Sequence, residues 1–403
     1  MLAARWHKVI HDLWGNKTRT ALIVLSIAVG LLAVGTILSA RSILSAEMAR
    51  SYAAIHPSSG TVRTIEPFDQ AFVRSVRAMR GVAQADARRV IEARVQVGPG
   101  EWANLTLFAV EDYDGMQVNL IRPQSGAWPP PERAILIERA ALPLLGVQVG
   151  ESIRIELPDE RQRVLRVAGT AHDLSQLPAQ FDHTPYGYLS FDTVEWLGEP
   201  YGLNELHVIA EPAADPQAVV NAVKDRAEEL GLTIPLTLSA DPGQLPLDDI
   251  LQAILLLMGA LGALALLLSA FLIVNTISAL LAQQRRQIGI LKAIGARTSQ
   301  ILGMYLAMVA FYGLSALAIA VPLSVIASRA LSRFMARQFN FDLGPARVPG
   351  QAIAWPAIAW PAVALQLAIG LLVPVLASLY PFLANRGVGP AEAMRAETQI
   401  GRR

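Results

Sequence analysis

The sequence predicts a membrane protein with four transmembrane α-helices and a large α+β extracytoplasmic domain of two lobes between the first and second helices. The chain is 53% hydrophobic and 17% charged, whereas soluble domains carry about 25% charged residues. Charge-free stretches at 21–40, 250–284, 298–328 and 348–385 can each cross a hydrocarbon core, which takes roughly 20 helical residues. Between the first two stretches lie roughly 200 residues of ordinary polar composition, enough for one large domain or two small ones.

Basic residues orient the chain in the membrane, because four spans place both termini on one face and the large domain on the other. The face of the termini is rich in basic residues, namely Arg5, Lys8, Lys17, Arg19, Arg285, Arg286, Lys292 and Arg297, so the positive-inside rule makes it cytoplasmic. The loop between helices three and four favours the opposite orientation, since it carries Arg329, Arg333, Arg337 and Arg347 against a single Asp342. A helix with a basic stripe at the outer headgroups would accommodate these arginines.

The predicted segments follow from these spans. They are a cytoplasmic amphipathic N-terminal helix (1–20), transmembrane helix one (21–44) with an outward stalk to about 53, the extracytoplasmic domain (54–248), transmembrane helix two with its stalk (249–282), a cytoplasmic surface helix (283–298), transmembrane helix three (299–328), an extracytoplasmic loop (329–350), transmembrane helix four (351–385) and a cytoplasmic tail (386–403). The first apolar segment is longer than the 7 to 15 residues of a cleaved signal peptide, so we expect it to stay as an anchor. Helix two would reach roughly 50 Å against a hydrocarbon core of about 30 Å.

Short-range patterns make the large domain α+β. Apolar and polar residues alternate over 91–97 before a glycine turn at 98–100, which predicts a hairpin, and 153–157 with 163–167 predicts a second one. Helical spacing occurs at 69–79 and at 216–230, where Asp215 is the expected N-cap. Strands are expected beside these helices at 61–65, 206–210 and 233–238. Together they predict two βαβ-like pieces and an inserted β-rich lobe at about 115–200.

The large domain offers little that points to catalysis. The chain has no cysteine, which excludes disulfides and cysteine nucleophiles. His172, Asp173, Asp182 and His183 can bind zinc or transfer protons, but their spacing matches no HExxH-like pattern, so we expect polar side chains on a surface loop. No GxSxG or Walker A sequence occurs, so no catalytic residue, metal site or cofactor is assigned to this chain. The net charge of +1 gives no reason to expect a nucleic-acid partner.

The basic segment at 283–298 is expected to form a short helix on the cytoplasmic surface. An arginine at mid-bilayer costs about 2.5 to 3.5 kcal/mol, so this segment must leave the hydrocarbon core. At about 100° per residue, one arc carries Ile288, Ile290, Leu291 and Ile294. The other arc carries Arg285, Arg286, Gly289 and Lys292; Gln287 is the exception to this division, and Gly295 closes the helix. A plain loop would not need this order.

Three short sequences stand at the ends of the predicted helices. They are LWGNKTRT at 13–20, with Asn16, Lys17, Arg19 and Thr20, then RQIGILKAIGA at 286–296, and PAEAMR at 390–395, with Pro390, Glu392 and Arg395. They resemble L-x-x-N-K-x-R-T, R-E-I-G-I-L-K-A-L-G-A and P-A-E-A-L-R of one family, the FtsX-like, MacB-type permeases of ABC transporters. The three occur in the family's order, and the layout of helices and large domain is also similar over nearly the whole chain.

The resemblance implies partners and a mechanism. Such permeases act as homodimers, or paired with a related permease, on two separate ATPase subunits that bind the ATP and magnesium. The resemblance assigns the docking of the ATPase to Arg285, Arg286, Ile288, Gly289, Leu291, Lys292, Ile294 and Gly295. ATP-driven closure would pass along the stalks to the large domain, a mechanotransmission that exports or extracts a substrate at the outer face.

The resemblance also bears on location and on the docking contact. We expect the chain in the bacterial cytoplasmic membrane, with both termini cytoplasmic as the positive-inside rule indicates. Membrane lipid and a periplasmic adaptor or envelope protein are among the expected partners. Gln283 and Gln287 stand where the family often has glutamate, which leaves a basic docking face. We expect Arg286 and Lys292 to orient the contact.

Two other functions stay open on the sequence. One is a membrane sensor or scaffold that keeps the permease fold and regulates an envelope enzyme through the large domain. The other is a membrane hydrolase or metalloenzyme that uses the loop at 172–183. A stably bound nucleotide-binding subunit would separate the permease from the hydrolase, and activation of a bound wall enzyme instead of transport would indicate the sensor. Nothing between 45 and 249 selects a substrate.

Overall fold

The computed structural model describes residues 17–239, 248–283, 298–343 and 360–384 of the chain. The chain divides into two compact units. The helical unit draws on Met1–Ser45, Leu251–Phe334 and Gly344–Arg403, and the large domain on Ala46–Ile250 and Met335–Leu343. Most of the predicted N-terminal helix, the surface helix and the whole C-terminal tail lie outside the described residues.

The described residues form nine helices and ten strands. In chain order they are α1 (Lys17–Ala53), β1 (Gly60–Phe68), α2 (Gln70–Arg77), β2 (Val82–Gly98), β3 (Glu101–Ala109), β4 (Arg122–Gly126), β5 (Ala134–Glu138), α3 (Leu142–Leu145), β6 (Ser152–Glu156), β7 (Gln162–His172), α4 (Ala179–Asp182), β8 (Tyr186–Leu189), α5 (Phe191–Leu197), β9 (Leu203–Ala210), α6 (Pro216–Glu229), β10 (Leu236–Ser239), α7 (Asp248–Gln283), α8 (Thr298–Gln338) and α9 (Trp360–Ala384).

The helical unit is built from long apolar helices. Among the described residues, two stretches, Thr20–Ala53 and Gly303–Gln338, are long and apolar enough to cross a membrane, and Gln252–Ala265 and Pro361–Val373 are shorter apolar stretches. Part of the unit's core lies between α1 and α8, where Leu31 packs in one cluster with the buried side chain of Tyr312. The apolar residues that make these helices fit for lipid thus also hold them together.

A buried glutamine joins three helices of this unit. Gln366 of α9 donates from Nε2 to the carbonyl oxygen of Leu31 at 3.0 Å and accepts from Ser324 Oγ at 3.2 Å. A Cβ added at Gly35 would lie 2.3 Å from Gln366 Nε2. Gly35 therefore leaves the space that the amide occupies, as small residues do where membrane helices meet closely.

The large domain is organised around one ten-stranded sheet. Its strands follow the order β10-β1-β9-β2-β3-β8-β5-β7-β4, and β6 pairs with β2 and β7. The four strands at one end of this order, β10, β1, β9 and β2, form two split βαβ units. In one unit β9 lies antiparallel between β1 and β2, and in the other β1 lies antiparallel between β9 and β10. Helices α2 and α6 pack on these strands in one hydrophobic core, and a second core runs from Val90 to Leu197.

Most of the short-range predictions in the large domain are confirmed. The hairpin predicted around 98–100 is β2 with β3, and the second hairpin is β6 with β7. The two predicted helices are α2 and α6, and Asp215 caps α6 by accepting from the N–H of Gln217 at 3.1 Å. The two βαβ-like pieces are the split units just described.

One predicted strand boundary is wrong, and one segment predicted as a loop is helical in its first part, as its basic stripe indicated. Strand β10 begins at Leu236 and not at 233, because Pro235 has no N–H to give to a ladder. Helix α8 continues to Gln338, so the first part of the loop predicted at 329–350 is helical. This part contains neither proline nor glycine, and nothing in its sequence interrupts the helix at 329.

Candidate functional site in the large domain

Most residues predicted from the family resemblance lie outside the described residues. This holds for Asn16, for the docking residues at 285–295, and for Pro390, Glu392 and Arg395. Lys17, Arg19 and Thr20 form the first turn of α1, where Lys17 is exposed and Thr20 half-buried. The roles of these residues stay predictions.

The surface loop predicted at 172–183 is wrong at its first two residues. His172 is the last residue of β7, and both it and Asp173 are buried. Strand β7 extends this far because β4 pairs with it up to His172 and β5 pairs with it up to Ala171, so its end has a strand on either side. Asp182 and His183, at the end of α4, are exposed. Within the described ranges no group of three or more histidine, cysteine or acidic residues is placed to hold a metal ion.

Asp173 belongs to a buried network that we call the Arg88 junction, formed by Arg63, Arg88, Asp173, Glu205 and His207. Arg88 Nη2 lies 2.6 Å from Glu205 Oε1, and Arg88 Nη1 lies 3.9 Å from Asp173 Oδ2. Arg63 donates from Nε and Nη2 to the other oxygen of Glu205 at 2.8 and 2.6 Å. His207 Nδ1 lies 2.9 Å from Thr61 Oγ1. The network therefore gives each of its two carboxylates an arginine.

Burial and pairing act against each other on the titration of these groups. Burial favours the neutral form of Glu205, but Arg88, His207 and Arg63 outweigh it and hold its pKa well below the usual range. Burial also works against the charge of Arg88, yet Glu205 and Asp173 raise the pKa of this guanidinium. Burial and the nearby Arg88 lower the pKa of His207. Glu205 and Arg88 are thus a charged pair beside a neutral imidazole at pH 7.

The junction lies where β2 changes its partner. Arg88 is the last residue of β2 that pairs with β9, and Arg89 is the first that pairs with β3. The backbone of Val90, just past the last β9 pair, donates to Asn204 Oδ1 at 2.7 Å and accepts from Asn204 Nδ2 at 2.9 Å. The side chain of Asn204 therefore satisfies backbone groups that a strand would otherwise pair.

This position lets the Arg88 junction tie the two cores together. Glu205 and His207 come from the part of the sheet with the split βαβ units, whereas Asp173 and the hydroxyl of Tyr188, which donates to Asp173 at 3.1 Å, come from the other part. The guanidinium of Arg88 also lies 3.9 Å from the centre of the Phe108 ring. Such an arrangement fixes the orientation of the two parts of the sheet.

Sequence reasoning overlooked this junction, although a signal was present. Glu205 and His207 alternate with Leu206 and Val208 around the predicted strand at 206–210, and all four side chains are buried. Charged residues on one face of a strand usually face solvent. Only pairing with arginines from other strands makes their burial possible, and those long-range pairings are not visible in a local pattern.

A second polar cluster lies at the end of β5 and involves the far end of helix α8. Arg139 donates from Nε to Asn340 Oδ1 at 2.7 Å and from Nη1 to Asp342 Oδ1 at 2.8 Å. Asn340 Nδ2 donates to the buried carboxylate of Glu138 at 2.7 Å. We call these four residues the Arg139 cluster. It binds a segment that follows the rest of the large domain by many residues in the sequence.

Two family models match the chain. The model of the MacB-like periplasmic core domain matches residues 20–226, which is more than half of the chain, and the model of the FtsX-like permease C-terminal region matches residues 259–390. The first range contains both polar networks apart from Asn340 and Asp342. The second range contains the predicted surface helix.

Individual relatives are more distant. The chain is 25% identical over 253 residues to an uncharacterized ABC transporter permease of Methanocaldococcus jannaschii, a match that covers 62% of this chain and 58% of that protein. Among solved structures, the periplasmic region of MacB from Actinobacillus actinomycetemcomitans shares 10% identity at a TM-score of 0.31, with 51% of this chain and 97% of that chain covered. The extracellular domain of the ABC-type transporter YknZ from Gram-positive bacteria shares 14% identity at a TM-score of 0.31, covering 46% of this chain and 100% of that chain. The family models together match residues 20–226 and 259–390, and the chain belongs to the family of FtsX-like ABC transporter permeases with a MacB-like periplasmic core domain.

Proposed function

We propose that this chain is the membrane subunit of an ABC transporter in which a separate ATPase subunit drives movement of the large domain, for export or extraction of a substrate at the outer face. Helices α1, α7, α8 and α9 would be the four spans. Both termini would lie in the cytoplasm and the large domain outside, with its two hydrophobic cores as the two lobes. No catalytic residue and no cofactor of its own are proposed for the chain.

The length and continuity of α1 carry this proposal. The helix has 37 residues from Lys17 to Ala53, about 55 Å at 1.5 Å per residue. A hydrocarbon core is about 30 Å thick, so an unbroken helix continues from a membrane span into residues of the large domain. Helix α7, with 36 residues, leaves the large domain in the same way. A displacement at the membrane end of such a helix reaches the other end without a flexible joint.

The Arg88 junction supports the same proposal from within the large domain. A domain that responds as one body to two helices needs its two cores to keep their orientation. Arg88 is paired with Glu205 at 2.6 Å on the neighbouring strand and lies 3.9 Å from the buried carboxylate of Asp173 in the other part of the sheet. A hinge that opened between the cores would move Arg88 away from Asp173 and expose these buried charges, which is unfavourable. The movement we propose is therefore one of the whole domain as one body, relative to the helices that drive it.

The docking of the ATPase would use the surface helix at 283–298. Ile288, Leu291 and Ile294 would fill a groove of the ATPase, and Arg286 and Lys292 would orient the contact against a neutral or acidic surface. The permease would act as a homodimer or with a related chain, in the cytoplasmic membrane. A periplasmic adaptor or envelope protein is a further proposed partner.

The test is purification of the tagged chain from its native membrane, with identification of every bound chain and measurement of ATP turnover. We expect a nucleotide-binding subunit to accompany the wild type, and the double substitution of Ile288 and Leu291 by alanine to remove both that subunit and the turnover. Leu256→Ala, at an exposed position of α7, is the control and should retain both.

Each negative result has its own meaning. Absence of a nucleotide-binding subunit from the wild type would contradict the permease function. Unchanged binding and turnover in the double variant would contradict only the docking assignment. A bound wall enzyme that the complex activates, with no transported compound, would favour the sensor over the transporter.

A further inference from the structure

The segment Met335–Leu343 belongs to the large domain, although it lies far from the rest of that domain in the sequence. It contains the last turn of α8 and the residues that follow. Phe341 donates its N–H to the carbonyl of Ala336 at 3.0 Å, and Asn340, with φ of 55°, donates to the carbonyl of Arg337 at 3.4 Å. This pair of bonds is the Schellman arrangement that ends many helices.

The residue at the left-handed position of this helix end is unusual. Glycine is the residue that most often occupies it, because a side chain is unfavourable at positive φ, and asparagine is a less frequent choice. Here the side chain of Asn340 is buried and makes two hydrogen bonds. Its Nδ2 donates to Glu138 Oε1 at 2.7 Å, and its Oδ1 accepts from Arg139 Nε at 2.7 Å. The side chain therefore has a use that glycine could not supply.

Arg139 holds the segment at several points at once. Besides the bond to Asn340 Oδ1, its Nη2 donates to the carbonyl oxygen of Asn340 at 3.0 Å, and its Nη1 donates to both oxygens of Asp342 at 2.8 and 3.0 Å. A guanidinium with its donors in a fixed plane suits this fork of acceptors, and a lysine would not reproduce it. The contact thus depends on one side chain in one orientation.

Residues of β5 and β7 fix that orientation. Arg139 Nη2 lies 3.1 Å from His172 Nε2, which must accept because the guanidinium can only donate. The backbone N–H of Arg139 donates to the carbonyl oxygen of Ala171 at 3.0 Å. Apolar contact adds to the cluster, since the ring of Phe339 stacks on Phe181 with centroids 5.5 Å apart.

We propose that Arg139 is a positioning residue that couples the end of helix α8 to the sheet of the large domain. The domain is joined covalently to α1 and α7, and the Arg139 cluster would add a third attachment, through which movement of α8 reaches β5 and β7. This inference rests on the proposed function, because it assumes that ATP-driven movement of the helices drives the large domain. By chain connectivity alone, only α1 and α7 would transmit movement to the large domain, and the contact of Arg139 adds α8 to them.

The test measures one distance within the full chain, bound to its ATPase in lipid nanodiscs. Spin labels are placed at Ser42→Cys on α1 and at Arg154→Cys on β6, both exposed positions, in a chain without other cysteines. The distance between the labels is measured without nucleotide and after trapping with ATP and vanadate. We expect a shift in the wild type and its loss in Arg139→Ala. Arg166→Ala, which removes an exposed arginine of the neighbouring strand β7, should keep the shift.

Asn340→Gly is a second variant, which tests whether loss of the shift comes from simple unfolding. Glycine preserves the left-handed helix end and removes only the side-chain hydrogen bonds. It should reduce the shift while hydrogen-exchange protection of β5 and β7 stays at the wild-type level, which a merely structural role would not produce. If the wild type shows no shift, the proposed function fails. If the wild type shows a shift that Arg139→Ala and Asn340→Gly both retain, the coupling through Arg139 is wrong.

Discussion

The helical unit and the large domain both bury polar side chains, but of different kinds. In the helical unit the buried set is neutral, an amide of Gln366, a hydroxyl of Ser324 and a backbone carbonyl. In the large domain the buried set is charged, with Arg88 and Glu205 at its centre. A neutral group left without a partner costs far less than a charge. The two regions should therefore respond very differently to the loss of one side chain.

The largest expected effect follows from Arg88→Ala. The change leaves the buried carboxylate of Glu205 with fewer partners, and removal of one member of a buried ion pair costs about 3 to 5 kcal/mol. Hydrogen exchange of the β2 and β9 amides in the full chain measures the loss. Arg94→Ala on the same strand is the control, since Arg94 is 54% exposed in its pair with Glu156 and such pairs contribute about 0 to 1 kcal/mol. Equal losses of protection would contradict a buried charged junction.

Acid should weaken the large domain more than the helical unit. The folded-state pKa of His207 and of Glu205 is lowered, so the unfolded chain binds protons at a pH where the folded chain does not. Stability is then retained above the unfolded pKa values and lost as pH falls, first below about 6.5 for the histidine and then below about 4.3 for the glutamate.

Urea unfolding of the full chain, followed by tryptophan fluorescence of the large domain at several pH values, measures this loss. His207→Gln should flatten the dependence just below the unfolded histidine pKa. His183→Gln, at an exposed position, should leave it intact. A stability that does not fall on acidification would contradict the burial of His207 in a neutral form.

The parts of this fold that local sequence patterns could predict are those that local physics decides. Three of these features depend on neighbours in sequence and were predictable: the cap at Asp215, the turn at 98–100, and the alternation in β6 and β7. Pairings between distant segments were not. The end of β7 is buried because β4 and β5 cover it, which made the expected surface position of His172 and Asp173 wrong.

The same limit explains why both polar networks were missed. Arg88 and Glu205 are 117 residues apart in sequence, and Arg139 and Asn340 are 201 apart. The family motifs at 13–20, 286–296 and 390–395 identified the family from the ends of the helices, whereas the large domain carries its networks on strands without a recognisable motif. The positive φ of Asn340 was likewise hidden, because asparagine is also compatible with a continuing helix.

In the helical unit the largest effect should come from Gly35→Ala. A new Cβ would lie 2.3 Å from Gln366 Nε2, and the amide would have to move away from the carbonyl of Leu31. Overpacking of this kind costs about 1 to 3 kcal/mol, less than the loss of Arg88. Unfolding of the purified chain in mixed micelles measures the change. Gly259→Ala in α7, where an added Cβ meets nothing within 4 Å, is the matched control. A loss at Gly35 as large as that at Arg88 would remove the contrast between the two regions.

Ser324→Ala should have the smallest effect. The Ser324 hydroxyl has one proton, and it lies 2.8 Å from the carbonyl oxygen of Val321 and 3.2 Å from Gln366 Oε1, so the two acceptors share a single donor. Side-chain hydrogen bonds between membrane helices contribute about 0.6 kcal/mol on average. Ser328→Ala is the control, because that hydroxyl donates to Val325 of its own helix at 3.1 Å. The difference between the two variants in mixed-micelle unfolding isolates the bond to Gln366. A difference of several kcal/mol would mean that the neutral network of the helical unit is as sensitive to the loss of one side chain as the charged junction of the large domain. In that case Gln366 Oε1 would find no other donor once the Ser324 hydroxyl is removed.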